Sequence, residues 1–296
     1  MAYILSGFAD EAHKELSEQI RIFKKLGISF IEMRGVDGKN VSDLTPSEAK
    51  EIKKKLDDNG MFVSAVGSPC GKMQINDDFS AHLDKFKRTV ELANILGTQK
   101  MRMFSFFIPQ DEPASNFKSK VMEYLNAFLE NAENVTLYHE NEKDIYGDTA
   151  ERCREIYYTF YGKIKLIFDP SNFIQCGEDT LRAYDLLDNG VDYFHIKDAR
   201  KDGTVVLPGR GEGHVAKILE MAYSDDKKMF LSIEPHLRIF SGFTDLQAKQ
   251  DLKNEIAFNS GEEAFEAAAN ALKEILIKME LKECTNCEGS FKKWKK

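Results

Sequence analysis

Cysteine is scarce in this chain. Five residues (Cys70, Cys153, Cys176, Cys284 and Cys287) are scattered through 296 positions. An odd number without framework spacing excludes a disulfide-stapled scaffold and suits reduced thiols, so a cytoplasmic location is expected. Cys284 and Cys287 form a C-x-x-C, but no second pair or nearby histidine completes a zinc site. Basic charge is also short. With 41 Lys and Arg against 49 Asp and Glu, the formal charge is -8, so no global field attracts a phosphate backbone and nucleic acid is not expected as a partner. No apolar run approaches the roughly 20 residues of a membrane span, which removes the bilayer as a partner. The opening stretch MAYILSGFADEAHKE meets acidic residues after a few apolar ones and is not expected to be a secretory signal.

What is present is an ordinary globular composition, 42% hydrophobic and 30% charged, enough for one large α/β barrel or two smaller domains. Eight short apolar or β-branched runs recur, at 3–8, 28–33, 61–67, 100–107, 135–140, 163–169, 191–197 and 228–234. Each precedes a segment of helical periodicity, at 15–27, 45–60, 80–97, 116–134, 148–161, 179–189, 214–223 and 261–279. In the first of these Leu16, Ile20, Phe23 and Leu26 share a face and Gly27 stands ready to end the helix; the second opens on Thr45 and Pro46 and closes on Gly60. Eight alternations predict an α/β fold, a parallel (β/α)8 TIM barrel filling residues 1–280. A doubly wound sheet is the alternative, but no G-x-G-x-x-G follows the first strand. The long connection 237–260 is a possible lid, and the tail 281–296 has no periodic apolar face and is expected to be unordered.

In such a barrel the reactive groups stand at the C-terminal ends of the strands. Four consecutive runs end in Glu140 (YHEN), Asp169 (FDPSN), His195 (FHIKD) and Glu234 (IEPH). Three carboxylates converging with an imidazole repel one another and lose hydration, a conflict that a divalent cation resolves; the O3N set suits Mn2+, Mg2+, Co2+ or Zn2+. Lys197 has the parity of His195, so it is read either as a contact to substrate oxygens or as the holder of a ligand carboxylate. Arg210, in the Gly-rich GRGEG, either reaches a substrate hydroxyl or phosphate or is solvated. His236 should point the same way as Glu234 and is a substrate-contact candidate. His139 has the opposite parity to Glu140 and should pack behind its strand, while Glu32 and Arg34 are read as an ion pair at the end of the second strand.

The stretches GFADE (7–11), IEMRG (31–35), HEN (139–141), FDPSN (168–172), HIKDA (195–199), PGRGEG (208–213) and IEPH (233–236) resemble the xylose-isomerase-like TIM-barrel superfamily of sugar and sugar-phosphate isomerases and epimerases. The order Glu, Asp, His, Glu is similar to that of its D-tagatose 3-epimerase, hydroxypyruvate isomerase and inosose dehydratase branch. The resemblance implies one divalent metal, Mn2+ foremost, held by Glu140, Asp169, His195 and Glu234. It also implies that Glu140 and Glu234 exchange protons with a small carbohydrate through a metal-stabilised enediolate. Loss of water from the same site, as in inosose dehydratase, and a non-catalytic sugar-binding barrel are the alternatives. The chain departs from the tagatose-epimerase pattern at Asn172, where a substrate-contacting histidine is usual; Asn172 is therefore a substrate-binding candidate, and ketohexose specificity does not transfer. Endonuclease IV, with three zinc ions, needs more histidines than the six present. Homo-oligomers are common among the resembling enzymes, and nothing in the helix faces decides the point here.

Overall fold

The computed structural model describes residues 3–224, 227–238, 258–283 and 290–293. Its strands are β1 (Tyr3–Gly7), β2 (Phe30–Met33), β3 (Gly35–Val36), β4 (Lys39–Asn40), β5 (Phe62–Val66), β6 (Lys100–Met103), β7 (Thr136–Glu140), β8 (Ile164–Phe168), β9 (Val191–Ile196), β10 (Asp198–Ala199), β11 (Val205–Val206), β12 (Met229–Ile233), β13 (Lys282–Glu283) and β14 (Ser290–Lys292). Eight of them form a parallel run in the order β1, β12, β9, β8, β7, β6, β5, β2. The two end strands lie side by side and close the ring. Helices α1 (Leu16–Lys25), α2 (Pro46–Asp58), α3 (Phe79–Leu96), α4 (Lys118–Glu130), α5 (Ala150–Thr159), α7 (Thr180–Leu187), α8 (Val215–Ala222) and a last helix, Gly261–Lys278, surround it. The short α6 (Pro170–Gln175) sits at the mouth. This is the (β/α)8 barrel that the alternating periodicity predicts.

Local chemistry explains the element ends. Thr45 accepts from Glu48 N while the Glu48 side chain returns to Thr45 N, a full capping box with Pro46 behind it. Gly27 ends the first unit at φ 67°. The run 100–107 departs from its reading: β6 stops at Met103, and the chain turns through Phe106 at φ 67° to pair with the loop after β5, through Phe104 N to Cys70 O (2.8 Å) and Phe106 N to Gly71 O (3.0 Å). Gly71 permits this, because a Cβ there would stand 2.0 Å from Phe104 O.

The tail also departs from expectation. β13 and β14 form a hairpin, and β14 runs antiparallel to β1 with Tyr3 opposite Phe291. Phe291 is 1% exposed. One aromatic and a free strand edge suffice to order this segment, and a single buried residue leaves no period to read. The lid expectation falls mainly on 239–257, and the C-x-x-C at Cys284 and Cys287, outside the described residues. Among the described residues, no helix is long and apolar enough to cross a membrane.

The barrel interior is aromatic at its base, where Phe30, Phe62, Tyr193 and Phe230 pack in successive contact. Above them a polar layer crosses the ring: Ser6 Oγ lies 2.6 Å from Ser64 Oγ, and Ser64 Oγ lies 3.0 Å from Tyr193 Oη. The charged layer rests on that floor.

Candidate metal centre

Four strand ends build the centre. Glu140 closes β7, His195 belongs to β9, Asp169 follows β8 and Glu234 follows β12. Because the strands are parallel and their side chains alternate, all four point inward at one height. Each offers a donor atom, and these atoms lie within 4.8 Å of one another, fully buried. His195 Nδ1 sits 2.9 Å from Glu140 Oε1 and 3.3 Å from Glu234 Oε2.

Asp169 is aimed by its neighbours. Its Oδ1 caps α6 by accepting from Asn172 N (3.0 Å), with Pro170 in the first helical turn. Its backbone exchanges two hydrogen bonds with the Asn141 amide, N to Oδ1 at 3.0 Å and Nδ2 to O at 2.9 Å. FDPSN is therefore a strand end, a cap and a helix start at once, and it leaves Oδ2 facing inward. Asp169 Oδ2 and Glu234 Oε2 accept no hydrogen bond of good geometry. Lys197 Nζ stands 2.8 and 3.6 Å from these two atoms as a counter-charge. Two inward carboxylate oxygens and an inward ring nitrogen are the donor set a divalent ion requires, so the residues fit the metal that the family implies.

The glutamates share a second feature. Each turns one oxygen toward His195 and gives the other to an arginine: Arg102 Nη1 donates to Glu140 Oε2 and Arg34 Nη1 to Glu234 Oε1, both at 3.1 Å. Arg102 sends its other N–H groups to Ser68 O (3.3 Å) and Gly67 O (3.1 Å). Arg34 is bidentate on Asp10 (2.9 and 3.1 Å) and reaches Glu11 Oε1 at 3.0 Å. Both guanidinium groups lie against the Phe8 ring, which meets His195 edge-on at 5.1 Å. Gly35 and Gly67 make this packing possible, since a Cβ would stand 2.8 Å from Asp10 Oδ2 at the first and 2.5 Å from Phe8 at the second.

Six buried carboxylates (Asp10, Glu11, Glu32, Glu140, Asp169, Glu234) thus face three buried permanent cations (Arg34, Arg102, Lys197). The imbalance sets the titration. Burial opposes charge on His195, but Glu140 and Glu32 overcome it and raise the imidazole well above its ordinary value. Burial pushes Asp169 up to about 7, with Glu234 and Glu140 adding to it and Lys197 opposing. Burial would raise Glu140 as well, but His195 and Arg102 hold it down at about 2. A divalent ion held by these residues would supply the missing positive charge and take the place of the imidazole proton.

The remaining sequence candidates separate. Asn172 is at the centre: its Nδ2 donates to Asn141 O (2.9 Å) and toward Glu140 Oε1 (3.4 Å), leaving the buried Oδ1 without a hydrogen-bond partner. His236, at φ 46°, lies beside Glu234, with Nε2 3.2 Å from Glu234 Oε1 and 3.4 Å from Glu11 Oε1. Glu11, Glu234 and His236 have ligand spacing too, but the Arg34 guanidinium already stands between the two carboxylates.

Arg210 is not brought to the centre. It is exposed and lines a groove of about 380 Å³ against Ala271 and Ile275 of the last helix. The Gly-rich loop has a different purpose: Gly209 N and Gly211 N donate to Asp198 Oδ2, and Gly213 N and Ala199 N to Asp198 Oδ1, all at 2.9 Å. Its amides surround a protein carboxylate rather than a substrate phosphate.

The Glu32–Arg34 pair is also corrected. Arg34 goes to Asp10, Glu11 and Glu234, whereas Glu32 receives Tyr193 Oη at 2.8 Å and has His195 Nε2 3.2 Å from both its oxygens. Sequence proximity suggested one partner where β9, across the barrel, supplies the others. His139 packs behind its strand, Nε2 2.9 Å from Ser105 Oγ, and burial lowers it to about 3.

The xylose isomerase-like TIM barrel family model matches residues 20–258. The chain belongs to that family. No curated protein matches it. Among solved members of this fold, L-ribulose 3-epimerase is 18% identical with a TM-score of 0.69, over 95% of this chain and 97% of that one. The IolI protein, solved with a bound zinc atom, is 17% identical with a TM-score of 0.68, over 93% and 98%. The probable 3-DHS dehydratase AsbF of Bacillus anthracis is 17% identical with a TM-score of 0.66, over 92% and 99%. At such identities the likeness establishes the shared barrel. The chemistry of this xylose isomerase-like chain rests on its own residues.

Proposed function

We propose that this chain is a divalent-metal-dependent isomerase or epimerase of a sugar or sugar phosphate, working by glutamate-mediated proton transfer. The observation that carries the reading is the buried set Glu140, Asp169, His195 and Glu234, whose donor atoms meet within 4.8 Å at the mouth of the barrel. Bound there, the ion, Mn2+ foremost with Mg2+, Co2+ and Zn2+ as alternatives, would polarise a substrate carbonyl and offset the charge that develops when the adjacent C–H proton leaves.

The chain's own residues do the rest. Glu140 and Glu234 stand on strands separated by β8 and β9, so they flank a substrate lying across the centre. One carboxylate accepts the proton from the carbon beside the carbonyl. Return from the opposite carboxylate inverts the centre, and return to the neighbouring carbon gives the isomer. Arg102 and Arg34 fix the outer oxygen of each glutamate, which keeps both carboxylates oriented. The free Oδ1 of Asn172 accepts from a substrate hydroxyl, and Lys197 and His236 are the other candidate contacts. Buried free thiols at Cys70 and Cys153 agree with a reducing, cytoplasmic setting.

Incubating the Mn2+-loaded protein with a panel of ketoses in D2O tests this. Deuterium should enter the carbon-bound position of the product, and Glu140→Gln or Glu234→Gln should slow exchange by about 10²–10⁴-fold at equal metal occupancy. Conversion without solvent deuterium would point to hydride shift instead. Lys197 favours a second reading: an ammonium 2.8 Å from Asp169 and 3.6 Å from Glu234 is placed to hydrogen-bond a departing hydroxyl, and a product lacking one hydroxyl would identify an inosose-type dehydratase.

A further inference from the structure

Glu32 is buried to 0% exposure at the second strand, lies outside the donor set, and faces its histidine. The imidazole of His195 is held from two sides. Its Nδ1 faces Glu140 and Glu234 at 2.9 and 3.3 Å, and its Nε2 lies 3.2 Å from both oxygens of Glu32. Glu32 is in turn fixed from below, where Tyr193 Oη donates to its Oε2 at 2.8 Å and stands 3.0 Å from Ser64 Oγ. Tyr193 and His195 leave the same face of β9, so the strand that presents the imidazole also presents the hydroxyl that aligns its partner.

We propose that Glu32 is the positioning residue of the metal centre, accepting the Nε2 proton of His195 so that Nδ1 carries the lone pair toward the ion, with Tyr193 fixing the carboxylate. The proposal rests on the metal-dependent reading above. A ligating imidazole is commonly oriented by a carboxylate on its far nitrogen, which selects one tautomer and strengthens the ligand. Here the alternative tautomer would leave Nε2 without a proton against two carboxylate oxygens, a repulsive contact between fully buried groups. Glu32 has no path around the ring to become a ligand itself: it lies on the opposite side of the imidazole from the Nδ1 cluster.

The test measures metal rather than turnover. Zinc affinity is determined by chelator competition for the full chain, Glu32→Gln and Tyr193→Phe, and the His195 ring nitrogens are assigned by 15N NMR in the zinc-loaded protein. The expected result is one ion per chain in all three, with affinity falling about 10–100-fold in Glu32→Gln and less in Tyr193→Phe, which keeps the carboxylate. NMR should show zinc on Nδ1 and a proton on Nε2. Unchanged affinity in Glu32→Gln, or zinc on Nε2, overturns the role of Glu32 while leaving the metal centre standing. If Glu32→Gln does not fold, the nitrogen assignment and the Tyr193→Phe affinity decide alone. Absence of binding in the unaltered chain overturns the metal-dependent reading itself.

Discussion

Arg102 shows how strongly single residues are committed here. Its side chain is 2% exposed, and among the described residues its one carboxylate contact is Glu140. Substituting methionine removes the cation and leaves the buried Glu140 carboxylate with His195 as its remaining charged partner among the described residues. Arg102→Met should cost about 3–5 kcal/mol, read by urea denaturation of the metal-free chain. A loss below 1 kcal/mol would mean that Glu140 finds water or another partner. The convergence of Glu140, Asp169, His195 and Glu234 was legible in the sequence, because four apolar runs end on polar residues and strand parity turns those residues inward. Glu32 was misread for the same local reason that made it visible: Arg34, two positions on, has the right charge, whereas Tyr193 and His195 are distant in sequence and meet it only once the ring closes. Asn172 lies beside Glu140 and Asp169. The cap that Asp169 makes for it could be read from FDPSN, but its vacant Oδ1 could not.

At the scale of elements, the loops at the mouth are organised by polar groups buried in the protein rather than by their own composition. Asp198 gathers four backbone N–H groups, three of them from glycines, and a Cβ at Gly211 would stand 2.3 Å from its Oδ1. Asp198→Ala should therefore loosen residues 207–213 and destabilise the fold by about 2–4 kcal/mol, with faster proteolysis in that loop. The sequence reading weighed only the Arg210 side chain of this motif, because sequence does not show that the loop amides surround Asp198. A second loop depends on pH. Gly71 N donates to His82 Nε2 at 2.7 Å, which requires a neutral ring, and burial, with Lys85 adding, lowers His82 to about 4. The folded value lies below the unfolded 6.5, so the unfolded chain takes up the proton first. The contribution of His82 is present above pH 6.5 and is lost as pH falls toward 4. His82→Gln keeps an acceptor without titrating, and its stability between pH 6.5 and 4 should fall less than that of the unaltered chain. Parallel curves would refute this.

Across the whole molecule, the period-2 and period-3.6 alternation gave the barrel and nearly every element end. It missed what carries no period. The terminal hairpin buries Phe291 against β1 at the base of the ring, opposite the candidate metal centre. Phe291→Ala should cost about 3–5 kcal/mol in denaturant melts, although the residue sits in a lysine-rich tail. A negligible change would restore the unordered tail that the sequence suggests. The distribution of charge is the other molecular property. An aromatic floor, a polar layer and an over-acidic top fill the interior in sequence, and only the top leaves negative charge unmatched. That imbalance is the physical basis for assigning a cation to this barrel.

The most direct measurement is metal content by mass spectrometry on chain purified without chelator and then offered Mn2+, compared with Asp169→Ala and His195→Ala. The account predicts one divalent ion per chain, lost in both variants. No ion in the unaltered chain, or full retention in both variants, would contradict it.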